Sequence, residues 1–162
     1  MIWSKKFWRK LKSLSPLSYA LRLLKARLRS RFELDQALQR KGFLEQERLE
    51  ILEQLEAVDL INDERFARSW ITSRDRLSPR GVPLLKMELA QKGVSKEVVA
   101  QALSQRETSD EPPDELAQAK DLVERKERQY AGLPKEVRNR RVTALLLRRG
   151  FSFGTIKRIL DA

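Results

Sequence analysis

The sequence contains no cysteine and no histidine, and it has only six glycines and six prolines. The chain therefore has no disulfide framework, no thiolate metal site and no imidazole to act as a general base. Carboxylates, lysine, serine and tyrosine are the remaining candidates for catalysis, and their spacing forms no catalytic constellation. We therefore expect a protein that is not an enzyme and that uses no metal, no other cofactor and no small-molecule substrate.

Long hydrophobic runs are also missing. No stretch of about 18 apolar residues occurs, so no membrane-spanning helix is expected. The first 16 residues, MIWSKKFWRKLKSLSP, interleave charged and apolar residues, whereas a signal peptide needs an uninterrupted apolar stretch after its charges. Because the lack of cysteine also fits a reducing compartment, we expect a cytoplasmic protein.

Acidic residues are absent from the start of the chain, since residues 1–32 hold ten Lys or Arg and no Asp or Glu. Residues 33–113 hold 12 basic and 16 acidic residues, and residues 114–162 hold 12 basic and seven acidic residues. The net charge of the whole chain is +11. Basic ends indicate a polyanion as partner, most commonly nucleic acid, although many helical proteins are basic without binding DNA specifically.

The segments between the glycines and prolines are rich in Leu, Arg, Glu, Gln, Lys and Ala, which are good helix formers. No segment shows the alternation of apolar and polar residues that is typical of a strand. The sequence therefore predicts an all-α chain.

One short phrase occurs three times, as ALQRKGF at 37–43, ELAQKGV at 88–94 and LLLRRGF at 145–151. In each, a leucine precedes the glycine by four residues, a cation precedes it directly, and an apolar residue follows it. The glycine fits the left-handed residue that closes a helix, and the cation suits the negative end of the helix dipole. The glycines are 51 and 57 residues apart, a spacing typical of helical repeats.

Aligned apolar positions around these phrases predict three tandem three-helix repeats, about nine helices, that form an elongated, curved array. Serine, asparagine and proline at the predicted helix starts support the boundaries. The polar segment SQRETSDEPP, with its double proline, is a predicted linker that would let the third repeat shift against the second. The predicted organisation is a basic amphipathic N-terminal extension (1–18), repeat 1 (19–61), repeat 2 (62–103), the linker (104–113) and repeat 3 (114–162).

Four motifs in this order resemble the RecX family of regulatory proteins. They are R-x-R-S-x-x-E-L in repeat 1 and, in repeat 2, D-x-x-F-A, G-x-P and E-L-x-x-K-G. The resemblance covers residues 19–160 and is strongest over 19–103. It implies a protein that binds the RecA–DNA filament in its helical groove and inhibits its ATPase, its extension and its strand exchange. The protein would thereby regulate recombinational DNA repair and the SOS response, and would also bind DNA.

Candidate contacts with RecA or DNA are basic residues that the core stripes do not need. We expect them to bind single- or double-stranded DNA without sequence preference. Arg138, Arg141 and the pair Arg148–Arg149 are predicted to share one broad helix face. The aromatic residues Phe66, Trp70 and Tyr130 are expected to pack in the core rather than stack on bases. The full set of candidates is Arg74, Arg76, Arg80, Lys135, Arg138, Arg140, Arg141, Arg148 and Arg149.

Two other functions stay open at this stage. One is a stand-alone, non-specific helical-repeat nucleic-acid-binding protein that acts through its charge. The other is a membrane-surface protein held by residues 1–18. That extension has apolar residues at helical spacing, so it suits contact with DNA, RecA or an anionic membrane, or packing over repeat 1. We expect the protein to be a monomer with little affinity for membranes.

Overall fold

The structure, a computed structural model, describes residues 15–110 and 112–161. Within these residues it contains ten helices and no strand, which confirms the all-α prediction. The helices are α1 (Pro16–Ala26), α2 (Arg31–Lys41), α3 (Glu45–Ala57), α4 (Asp63–Leu77), α5 (Val82–Gln91), α6 (Lys96–Glu107), α7 (Glu115–Glu124), α8 (Glu127–Tyr130), α9 (Lys135–Arg148) and α10 (Phe153–Asp161). The prediction of about nine helices missed the single turn α8.

Each repeat has a core of its own. Helices α1 to α3 enclose Leu34, Leu38 and Leu52, helices α4 to α6 enclose Leu85 and Leu89, and helices α7 to α10 enclose Val142 and Leu146. All of these side chains are fully buried. Burying a Leu or Val side chain contributes about 1.5–3 kcal/mol, so each repeat is stabilised mainly by this apolar stripe.

The three glycine phrases end helices as predicted. Gly42, Gly93 and Gly150 have φ values of 95°, 74° and 79°, which is the left-handed region. In each case the residue after the glycine donates its backbone N–H to the carbonyl oxygen of the buried leucine four residues before the glycine. This is the closing hydrogen bond of a Schellman-type helix end.

The predicted serine caps are also present. The Ser30 Oγ accepts a hydrogen bond of 3.1 Å from the Glu33 N–H at the start of α2, and Ser15 and Ser95 cap α1 and α6 in the same way. Pro134 directly precedes α9. These short-range bonds satisfy N–H groups that would otherwise lack a partner at a helix start.

The chain divides into two compact units, Met1–Asp63 and Glu64–Ala162. The first unit contains repeat 1. There the Asp63 Oδ1 accepts a hydrogen bond of 2.8 Å from the Arg31 N–H, and the Arg48 Nε donates to Asp35 over 2.8 Å. Burial raises the pKa of Asp63, and the hydrogen bond from Arg31 opposes that rise. The first bond joins Asp63 to the start of α2, and the second joins α3 to α2.

The second unit contains repeats 2 and 3, which meet at two glycines. The Gly81 N–H donates to the Arg149 carbonyl oxygen over 2.8 Å, and a Cβ added to Gly81 would lie 1.8 Å from the Gly150 carbonyl oxygen. Only a residue without a side chain allows the two backbones to come this close. We call this contact the glycine joint. Repeat 3 is therefore in direct backbone contact with repeat 2, and the predicted freedom of the two repeats to shift stays a prediction.

The segment predicted as a linker is shorter in the structure, because residues 104–107 belong to α6. Arg106 in this last turn forms a bidentate ion pair with Asp75 of α4, over 2.8 and 2.9 Å. Asp75 also accepts a hydrogen bond of 3.2 Å from Gln118 of α7. Side chains from three helices thus form a second connection between repeats 2 and 3.

Candidate nucleic-acid interface

The carboxylate of Glu88 on α5 accepts hydrogen bonds from three surrounding side chains. Its Oε2 accepts hydrogen bonds from the Trp70 Nε1 at 2.9 Å and from the Arg74 Nε at 2.8 Å. Its Oε1 accepts a longer one, 3.3 Å, from the Arg80 Nε. These bonds hold α4 and the loop after it against α5. Two of the predicted contact residues therefore have a structural role.

The electrostatics around Glu88 favour the charged carboxylate. Burial by itself would raise the pKa of Glu88, but the hydrogen bonds from Trp70, Arg74 and Arg80 outweigh it and lower that pKa. The carboxylate thus keeps its negative charge at neutral pH and continues to hold the arginines.

Arg149, at the end of α9, joins this group from repeat 3. Its Nη1 donates to the Ser78 Oγ over 2.9 Å. Burial lowers the pKa of Arg149, the positive charges of Arg80, Arg148 and Arg74 lower it further, and Glu88 opposes them. The glycine joint thus brings arginines of two repeats to one place. We call Arg74, Arg80, Arg149 and Glu88 the arginine cluster; its formal charge is +2, which favours an anionic ligand.

The Trp70 ring is covered by cations. The Arg74 guanidinium lies 4.4 Å from the ring centroid and the Lys92 ammonium 4.2 Å, while the Phe66 ring stacks at 6.0 Å. Phe66 is buried in the core, as predicted, and Trp70 is partly buried. With these neighbours, Trp70 serves packing and cation–π contact rather than stacking on a base.

The outer face of α9 carries arginines of a different kind. Arg140, Arg141 and Arg148 are exposed, and none of them has an ion-pair partner among the residues the structure describes. Arg141 and Arg148 are seven residues apart, which places them on one face about 10 Å apart along the helix. We call these three arginines the α9 face. Their uncompensated charges are free to contact phosphate groups.

The face predicted for α9 is therefore only partly present. Arg138 is partly buried, and its Nη2 pairs with Glu127 over 3.3 Å, while Arg149 is held at the glycine joint. Lys135 is exposed at the start of α9, and Arg76 is exposed near the end of α4. Tyr130 is buried in the core of repeat 3, as predicted.

Sequence reasoning assigned no role to Glu88, Gly81 or Ser78, which organise the cluster. Glu88 and Gly81 occur in the quoted motifs. Glu88 is also a lone acidic residue in an arginine-rich region, a pattern that indicates an ion-pair centre. No local pattern indicates that Ser78 meets Arg149, because 71 residues separate them.

The described residues hold no group of three or more acidic side chains that is arranged to bind a metal ion. In the same part of the chain, none of the helices is both long and apolar enough to cross a bilayer.

Comparison with known proteins agrees with this architecture. The family models for the first, second and third three-helix domains of RecX match residues 17–55, 62–103 and 113–160. The Regulatory protein RecX of Streptomyces coelicolor is 37% identical over 140 residues, which cover 86% of this chain and 72% of that protein. That of Prosthecochloris aestuarii is 34% identical over 145 residues, which cover 90% and 91%.

Solved structures show the same fold. The crystal structure of RecX from Lactobacillus salivarius superimposes with a TM-score of 0.71 at 26% identity, covering 90% of this chain and 92% of that chain. A second structure, of a regulatory protein RecX, superimposes with a TM-score of 0.76 at 23% identity. The relatives are named as regulatory proteins, not as enzymes. With all three domain models matched in order and relatives aligned over most of its length, the chain belongs to the RecX family of regulatory proteins.

Proposed function

We propose that this protein binds the RecA–DNA filament and inhibits its ATPase, its extension and its strand exchange, and so regulates recombinational repair and the SOS response. Family membership supports a regulatory role. The observation that carries the DNA part of the proposal is the α9 face, where three exposed arginines have no ion-pair partner in the described chain. Such side chains bind phosphates without reading the sequence. The protein would act as a monomer in the cytoplasm.

The arginine cluster supports the same proposal in another way. Its charge excess is held in place by Glu88 and the glycine joint, so the positive field is fixed relative to α9. A fixed positive surface attracts a polyanion with a smaller loss of side-chain entropy than flexible lysines would incur. We infer that repeat 3, with the adjoining end of α4, faces the DNA.

Pre-formed filaments provide the test. RecA filaments assembled on single-stranded DNA, with no free DNA left, are titrated with the protein while ATP hydrolysis and co-sedimentation are measured. We expect binding, and inhibition at ratios well below one protein per RecA, because blocking filament ends needs few molecules. If the filaments neither bind the protein nor lose ATPase activity at moderate salt, the RecA-regulator proposal fails.

The second candidate function is non-specific DNA binding without a protein partner. The same α9 face favours it, because its charges would contact bare DNA equally well. Such a binder competes only for free DNA, so it would inhibit filament assembly and leave pre-formed filaments unaffected. The filament experiment therefore separates the two functions.

A further inference from the structure

A row of polar side chains lies on the outer face of α4, on the side opposite its contacts with the core. We call it the α4 face, and all of its side chains are exposed. The opposite side of the helix packs Phe66, Ala67 and Ile71 into the core of repeat 2. The α4 face consists of Arg68, Ser69, Thr72, Ser73 and Arg76.

These side chains have almost no partners within the described part of the chain. Arg68 makes one long ion pair of 4.0 Å with Glu64, and both side chains are about half exposed. No hydrogen bond or ion pair in that part involves the side chains of Ser69, Thr72, Ser73 or Arg76. Their donors are therefore open to a ligand.

Hydroxyl residues are a poor choice for an exposed helix face. Ser and Thr are weaker helix formers than Ala, Glu or Lys, and each costs a few tenths of a kcal/mol in a helix interior. Three of them lie within five positions of the 15-residue helix α4. Helix stability does not account for them.

Two adjoining grooves border the α4 face. One, with a volume of about 430 Å³, runs between α4 and α6 and is lined by Arg68, Thr72, Arg76 and Arg106. The other, of about 470 Å³, is lined by the hydroxyl residues, and Thr72 and Arg76 border both. The charge of Asp75 in the first groove is matched by Arg106, which binds it over 2.8 and 2.9 Å. Arg68 and Arg76 therefore leave the surface positive.

We propose that the α4 face binds the sugar–phosphate backbone of a nucleic acid strand, as a DNA contact separate from the α9 face. The proposal rests on the proposed function and adds a second contact to it. Arginine and hydroxyl side chains are the groups that contact phosphate oxygens. Arg68, Thr72 and Arg76 follow one another at four-residue steps, about 6 Å each, so they form a row along the helix.

The face has no aromatic side chain that a base would stack on, because Phe66 and Trp70 lie on the other side of α4. Binding here is therefore to the backbone and independent of sequence. The hydroxyls fit this ligand better than an acidic peptide, since they supply several donors in a row to repeated phosphate oxygens.

The test compares two double variants that each remove two positive charges. Arg68→Ala/Arg76→Ala removes the cations of the α4 face, and Lys86→Ala/Lys96→Ala removes two exposed lysines that border another groove. Fluorescence anisotropy with labelled single-stranded and duplex DNA is measured over a range of salt concentrations. For the first variant we expect the slope of log affinity against log salt on duplex to become less steep by up to about 1.8, since each phosphate contact contributes about −0.9 to it.

The hydroxyls are tested without a charge change. Thr72→Ala/Ser73→Ala is expected to weaken binding several-fold while leaving the salt slope as in the wild type. Alanine favours a helix at all of these positions, so circular dichroism should show unchanged helicity.

Equal salt slopes for the arginine variant and the lysine variant would overturn the proposal. So would an arginine variant that keeps its DNA slope but loses binding to polyglutamate, since the face would then suit an acidic protein segment. Neither result depends on RecA. Failure of the wild-type protein to inhibit pre-formed filaments would sink the proposed function and leave the DNA result standing.

Discussion

At the scale of single residues, Gly81 and Gly150 determine how repeats 2 and 3 meet. Gly81 does not adopt a left-handed conformation. A glycine is required there because another stretch of backbone approaches it closely. The Gly81 N–H and the Arg149 carbonyl oxygen are 2.8 Å apart, and Gly150 has a φ of 79°. Both groups that face Gly81 belong to the main chain, so they cannot turn aside as a flexible side chain can.

This geometry predicts that Gly81→Ala destabilises the protein. The new methyl group would lie 1.8 Å from the Gly150 carbonyl oxygen, so the joint must open and its hydrogen bond must break or lengthen. We expect a loss of about 2–4 kcal/mol in the free energy of unfolding, measured by urea denaturation with circular dichroism.

Gly154→Ala is the matched control. A Cβ there would lie 3.8 Å from the nearest atom, the Ser152 Oγ, which is an ordinary contact. Since this position is in α10, alanine should leave stability unchanged or raise it slightly. Equal unfolding midpoints for Gly81→Ala and the wild type would contradict the close approach of the two glycines.

At the scale of helices, α9 combines an apolar stripe with a basic face. Val142, Leu145 and Leu146 are buried, whereas the α9 face points to solvent. Because the charges lie on the side away from the core, they add to the surface potential without a desolvation cost. Arg138 and Arg149 have ion-pair or hydrogen-bond partners, so replacing them would mix loss of binding with loss of stability.

We predict that Arg140→Ala/Arg141→Ala/Arg148→Ala makes the slope of log affinity against log salt on duplex DNA less steep by up to about 2.7, at about 0.9 for each lost phosphate contact. The unfolding midpoint should stay close to that of the wild type, because none of the three arginines has an ion-pair partner within the described residues. Affinity measured at several salt concentrations gives the slope.

The control triple variant, Lys120→Ala/Lys157→Ala/Arg158→Ala, removes the same charge from α7 and α10, where these side chains are also exposed and have no ion-pair partner among the described residues. A general effect of net charge would give both variants the same slope. That result would indicate that the DNA-binding surface does not lie on α9.

At the scale of the whole molecule, the positive charge is concentrated towards the ends of the sequence. Residues 1–14 alone carry five Lys or Arg and no acid. The predicted extension covers residues 1–18; its residues 1–14 lie outside the described residues, residues 16–18 belong to α1, and its predicted roles stay predictions. The described chain begins with its own helix start, Ser15 as the cap of α1 and Pro16 in its first turn.

A chain that starts at Ser15 should keep its helicity, because the cap and the first-turn proline remain. If residues 1–14 contact DNA, the salt slope of the shortened chain on duplex is less steep than that of the full chain by up to about 4.5, at about 0.9 for each lost cation. We expect such a change in a DNA-binding titration. An unchanged slope would assign the segment to another surface, and flotation with anionic vesicles would then test for a membrane role.

The sequence by itself determined the helices, their ends, the apolar stripes and the family. The helices, their ends and the stripes depend on residues at most about eight positions apart, such as a leucine four residues before a left-handed glycine, so a local pattern is sufficient to predict them. The family follows from the order of several such local motifs along the chain. The turn α8 was missed because four residues are too few to show a helical period.

Only the tertiary structure decided which arginines have a partner and where repeats 2 and 3 make contact. Arg106 reaches Asp75 across 31 positions, Gln118 reaches Asp75 across 43, and Arg149 reaches Ser78 across 71. No local periodicity encodes such pairs. Arg138, Arg149 and Arg141 look alike in sequence, yet only Arg141 is left without a partner among the described residues. A guanidinium is available to a phosphate only where the fold supplies no nearer oxygen, and long-range packing decides where that occurs.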